Sequence, residues 1–136
     1  MKLVFNIVAP LAALFSAAHV RYDTTYDHRS GSLSSVACSN GENGLLTRGF
    51  TTFGSLPSFP NIGAAQAITG WNSPECGSCW RVSYQGKSIY ITAIDVAGDG
   101  FNLSLEAMNT LTHGHAEELG VIDAQAEQVE KWHCGL

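Results

Sequence analysis

Gly70-Trp71-Asn72-Ser73-Pro74-Glu75-Cys76-Gly77-Ser78-Cys79-Trp80 decides how this chain folds. It holds two of the four cysteines and two of the three tryptophans. Turn residues fill its middle, and an apolar, strand-like run, Cys79 to Tyr84, follows it. The other cysteines, Cys38 and Cys134, lie far off on either side. A redox Cys-x-x-Cys would need a following helix with a thiolate at its N-terminus. The strand pattern after Cys79 argues for structural bridging instead. Four cysteines in an exported chain form two disulfides, and three pairings exist on paper. Bonds to distant partners would each contribute about 4 kcal/mol on the loop-entropy account.

Export is read from the N-terminus. Met1-Lys2 precedes an apolar run, Leu3 to Phe15, which closes on Ser16-Ala17-Ala18. One positive charge, a short apolar core and small residues describe a secretory signal peptide over 1–18, with the domain at 19–136. The run is short of the ~20 residues a spanning helix needs, and Asn6 and Pro10 interrupt it. A soluble, extracellular or wall-associated protein is therefore expected, with no membrane span. Beyond residue 18 the chain has six basic and twelve acidic residues, a net −6. Without a basic cluster, nucleic acid and anionic membranes are poor partners.

Downstream of the anchor the clearest signal is a hairpin. Arg81-Val82-Ser83-Tyr84 and Lys87 to Ile94 flank Gln85-Gly86. The second arm ends at Asp95, followed by a loop with Asp99 between two glycines. A carboxylate there can be a working acid or can simply bind loop backbone, and the residues alone favour the second role. Phe101 to Leu111 reads as a helix capped by Asn102 or Ser104, with Leu105, Met108 and Leu111 on one face. Asn102-Leu103-Ser104 is also a glycosylation sequon. His113 and His115 lie near Glu117 and Glu118, but no third spaced ligand stands out. The segment reads as a helix–helix turn, and no metal or other cofactor is expected. Val121 to Trp132 alternates as a final strand.

Upstream, Val20 to Asp27 is β-prone and would carry Tyr22 and Tyr26 on one side of a strand. These tyrosines read as packing residues, with sugar stacking as the sharper alternative. Leu33 to Cys38 is expected to be a short strand, Ser39 to Gly44 a turn, and Gly44 to Phe50 one helical turn stopped at Gly49. Phe53 to Ile62 reads as an ordered loop and Ala64 to Thr69 as a strand or short buried segment. No repeat, phosphate loop or Ser/His/Asp nucleophile motif is present. The sum is one mainly β domain with short helices, closed as a small barrel and stapled by disulfides.

The residues also resemble a known family. Tyr22-Asp23-Thr24, Cys38-Ser39, Asn43-Gly44-Leu45, Gly70 to Pro74, Cys76 to Trp80, Gly86-Lys87, Gly100-Phe101-Asn102 and Cys134-Gly135-Leu136 together are similar to the cerato-platanin proteins, over about 20–136. That resemblance implies a single-domain double-psi β-barrel related to the first domain of expansins. It implies disulfides Cys38–Cys76 and Cys79–Cys134. It implies a secreted fungal protein that binds chitin-type oligosaccharides, loosens cellulosic material without hydrolysis, self-assembles at interfaces and elicits plant defence, through a possible plant surface receptor. Carried over by position, a shallow groove is lined by Asp95 and Asn102, with Tyr22, Asp23 and Arg48 as weaker members. Inverting hydrolysis needs two carboxyl groups about 6.5–9.5 Å apart. Asp99 looks unsupported in its loop, so binding without catalysis is expected. The competing readings are a weak glucanase or lytic transglycosylase using Asp95, and a surface-active coat protein.

Overall fold

A computed structural model of the protein describes residues 15–136. Most of the expected signal peptide, 1–14, lies outside the described residues. The first strand, β1, runs Ser16–Tyr22, so its first three residues precede the expected boundary at 18. The other elements are β2 (Ile62–Ala65), β3 (Cys79–Tyr84), β4 (Lys87–Val96), β5 (Phe101–Leu103), α1 (Leu105–Thr112), α2 (Ala116–Leu119) and β6 (Val121–Val129).

The six strands close in the order β1-β5-β2-β4-β3-β6, and β6 pairs back onto β1. Two pairs are parallel, β1 with β5 and β2 with β4, and the rest antiparallel. This is the closed double-psi barrel that was expected. Closure leaves no strand edge unpaired, which a sheet this small otherwise exposes. The hairpin falls where the sequence put it. Gln85 and Gly86 have φ of 45° and 82°, the paired positive values of a tight primed turn.

Ile89, Ile91, Thr92, Ala93 and Ile94 of β4 are all buried, so this strand is covered on both faces. The outer cover is the long segment between β1 and β2. It carries Leu33, Leu45, Phe53 and Leu56 into the core and bonds the Cys38 amide to the Ile94 carbonyl at 3.1 Å. Cys38–Cys76 fastens this cover to the anchor stretch, and Cys79–Cys134 fastens β3 to the C-terminus. The anchor lies on β4 through the Gly77 amide to the Ala93 carbonyl and the Ala93 amide to the Ser78 carbonyl, both 2.9 Å.

Several local expectations are corrected. The chain leaves β1 at Tyr22 and turns into a 3-10 helix at Thr24–Asp27, so Tyr22 and Tyr26 do not share a strand face. Asp23 stops the strand because its side chain accepts from the Thr25 amide. Leu33–Ser35 is a 3-10 turn rather than a strand, held by the Ser32 side chain. The strand after the loop is Ile62–Ala65, earlier than expected and four residues long. Asn102 belongs to β5, and Ser104 alone caps α1, accepting from the Ala107 amide.

Candidate functional site

The strand register places the expected groove residues side by side. Ala64 on β2 pairs with Asp95 on one side and with Asn102 on the other. Asn102 pairs in turn with Arg21 on β1. Neighbours in register stand within side-chain reach of each other. The row Asp95–Ala64–Asn102–Arg21 thus crosses four strands, with Ala64 as its buried floor.

Asp95 is the most constrained member. Its Oδ1 accepts the amides of Ala37 and Val96, both at 3.0 Å, and its Oδ2 accepts the Tyr26 hydroxyl at 2.9 Å. Tyr26 is buried against Phe53, with ring centroids 6.1 Å apart. Burial first, then the adjacent Asp95 carboxylate, push the Tyr26 phenol far above its ordinary pKa, so it stays protonated and donates. A carboxylate has about four acceptor positions, and the protein fills three of them here. Asp95 therefore buckles the cover segment to the end of β4. Asn102 is different: half-buried, its amide makes no side-chain hydrogen bond among the described residues.

The weaker members separate. Asp23 is exposed and holds its own turn, and its amide is bonded to the Leu103 carbonyl at 2.8 Å beside Asn102. Tyr22 packs partly against the core. Arg48 is not in the row. Its guanidinium stands beside Gly77, and its charge reaches Lys131, whose ammonium is held below its usual pKa first by burial and then by Arg48.

Asp99 corrects the reading that nothing holds it. His19 Nδ1 lies 2.8 Å from Asp99 Oδ2, and Arg21 Nη1 lies 3.7 Å from it. His19 Nε2 also meets Asp123 at 3.2 Å. The His19 hydrogen bond, joined by the His19 and Arg21 charges, lowers the Asp99 pKa. Sequence reasoning missed this cluster and the Tyr26–Asp95 bond because each joins residues some 70–80 positions apart. Both aspartates of the repeated Tyr-Asp act as caps in the fold. Asp27, the second of the pair, accepts the Leu105 and Glu106 amides at 2.8 and 3.0 Å, at the start of α1.

The His-x-His segment is a turn. His113 takes a left-handed conformation at φ 53° to close α1, and His115 stands 3.0 Å from Glu118. No cluster of three or more potential metal ligands exists among the described residues. No helix among them is long and apolar enough to cross a membrane.

The sequence model of the cerato-platanin family matches residues 18–136. The chain belongs to the cerato-platanin family. Cerato-platanin from Ceratocystis fimbriata f. sp. platani is 38% identical, with 93% of each chain covered. A protein named heat-stable 19 kDa antigen, from Coccidioides posadasii, is 46% identical over 97% of this chain and 88% of its own. The crystal structure of cerato-platanin 2 from M. perniciosa superposes with a TM-score of 0.86 at 53% identity, covering 89% of this chain and all of that one. The solution structure described as the fungal elicitor cerato-platanin gives 0.77 at 39% identity, covering 85% of this chain and 95% of that one. These cerato-platanin relatives carry names of elicitors and antigens, not of enzymes.

Proposed function

We propose that this cerato-platanin is a secreted protein that binds cell-wall carbohydrate without cleaving it. Chitin oligomers, or cellulose in an expansin-like manner, are the intended ligands, and recognition by a plant surface receptor makes the protein an elicitor. The observation that carries the reading is the division of labour in the row. Asp95 is committed to holding the cover segment, while Asn102, two strands along the row, presents an uncommitted amide. An amide donates and accepts, as sugar hydroxyls require. All three groups on Asp95 donate to it, so it is poorly set to hand a proton to a leaving group. Asp99 is already engaged by His19 and Arg21. Each hydrogen bond adds only about 0.5–1.5 kcal/mol net, so affinity should rest on several contacts in line.

NMR titration with chito-oligosaccharides tests this. Amide shifts should centre on Asn102 and its strand neighbours, and Asn102→Ala should weaken binding about tenfold. Reducing ends released from chitin or β-glucan, and lost in Asp95→Asn, would replace this reading with a glycan-cleaving enzyme. The coat-protein reading retains support from exposed Trp71, Val96, Leu119, Val121 and Trp132. It predicts self-association and lowered surface tension for the isolated monomer.

A further inference from the structure

An aromatic stack that the groove does not use begins on β4, five residues before Asp95. Tyr90 on β4 stacks on His133, with centroids 4.7 Å apart and planes 15° from parallel. Trp132 stacks on His133 in turn, at 3.7 Å and 26°. Trp132 is 67% exposed, a high figure for the largest apolar side chain. Exposure here is not looseness. Cys134, two residues on, is bonded to Cys79, and the Gly135 and Leu136 amides return to the Trp132 and Lys131 carbonyls at 3.0 and 3.2 Å. Tyr90 pairs with Arg81 on β3, the neighbour of β4 on the side away from β2 and Ala64.

Two open clefts meet at this stack. One, of about 830 Å³, runs past Gln128 and Lys131, and the other, of about 530 Å³, past Ser58, Asn61 and Ser88. Trp132 and His133 line both, so an elongated ligand passing from one to the other crosses the stack. Gln128 donates one of its two amide N–H groups to Glu75 at 2.8 Å, which leaves the other N–H and the carbonyl for a ligand. We propose that the Tyr90–His133–Trp132 stack is a second carbohydrate-binding surface, taking an internal stretch of a β-linked pyranose polymer. A pyranose ring has a flat C–H face for the electron-rich indole face and a rim of hydroxyls for amides and hydroxyls on either side. Nucleobases also stack on such rings, but the net charge of −5 repels their phosphates. Two separate surfaces would make the barrel bivalent, which raises retention on an insoluble polymer more than on a soluble oligomer. The inference rests on the carbohydrate-binding reading but not on the same residues.

The test follows the Trp132 indole N–H by NMR while the full chain is titrated with β-1,4-linked hexasaccharides of glucose and of N-acetylglucosamine. Partition onto insoluble cellulose and chitin is measured in parallel for Trp132→Ala, Trp132→Phe and Asn102→Ala. The Trp132 indole should shift with one or both sugars. Trp132→Ala should lower retention on the polymer about tenfold, with Trp132→Phe keeping most of it. Asn102→Ala should leave the indole shift in place. An indole that stays put while the Asn102 signals move, or polymer retention unchanged in Trp132→Ala, overturns the second surface and leaves the groove standing. An indole that moves while the Asn102 region stays silent overturns the groove alone. Silence at both sites overturns both. A Trp132-dependent dimer without sugar binding overturns the carbohydrate assignment in favour of self-association.

Discussion

Asp95 and Asp99 show how two nearby carboxylates come to different uses. Asp95 is surrounded by donors that the fold supplies, one of them a phenol that burial keeps protonated. Tyr26→Phe removes that donor and nothing else of size. It should cost about 1–2 kcal/mol in urea denaturation, since the lost bond is to a charged acceptor. The Asn102 shifts should also broaden as the end of β4 loosens. Asp99 is exposed and held by charge. Its folded pKa is lowered, so its interaction is fully present above the ordinary carboxylate value and is lost as pH falls through the lower folded one. Carbon-detected NMR should therefore find the Asp99 midpoint below that of a free aspartate. His19→Gln should bring it up toward that of a free aspartate, because the largest lowering cause is then gone. An unshifted midpoint in the wild type would refute the ion cluster in solution.

At the scale of elements, α1 depends on side chains that precede it. Ser104 is fully buried, accepts the Ala107 amide at 3.0 Å and donates to the Pro60 carbonyl. Ser104→Ala loses the cap and leaves a carbonyl without its donor. The expected cost is about 2–3 kcal/mol, read as a lower thermal midpoint with the barrel signature in far-UV circular dichroism retained. A loss within a few tenths of a kcal/mol would show that water replaces both bonds. Asp27 reaches the same helix from the other end of the chain segment, bonding the Leu105 and Glu106 amides. This explains why a chain that looked like one long strand, Val20 to Asp27, breaks at Tyr22. Asp23 caps the turn that brings Asp27 to α1. β-propensity favoured the strand, but the aspartates found backbone donors that a straight strand would not reach.

For the whole molecule, the two disulfides span 38 and 55 residues and tie the cover segment and the C-terminus to one point. By loop entropy each contributes about 4 kcal/mol. Replacing Cys79 and Cys134 together by alanine should lower the denaturation free energy by roughly that amount. It should also free the Trp132 end before the barrel opens, seen as early loss of amide-exchange protection in Lys131–Cys134. The sequence by itself determined what local chemistry controls. The Gln85-Gly86 hairpin, the alternation of β6, the anchoring role of Cys76 and Cys79, and the family membership all rest on short patterns that leave few alternatives. Only the tertiary structure decided which distant groups meet. Closing the ring put Asn102 between Ala64 and Arg21, placed Arg48 beside Gly77, gave Asp99 to His19, and left Trp132 outward over His133. Pattern within a strand fixes which way a side chain faces. Which partner it then finds is set by strand order and register, and those depend on contacts tens of residues apart.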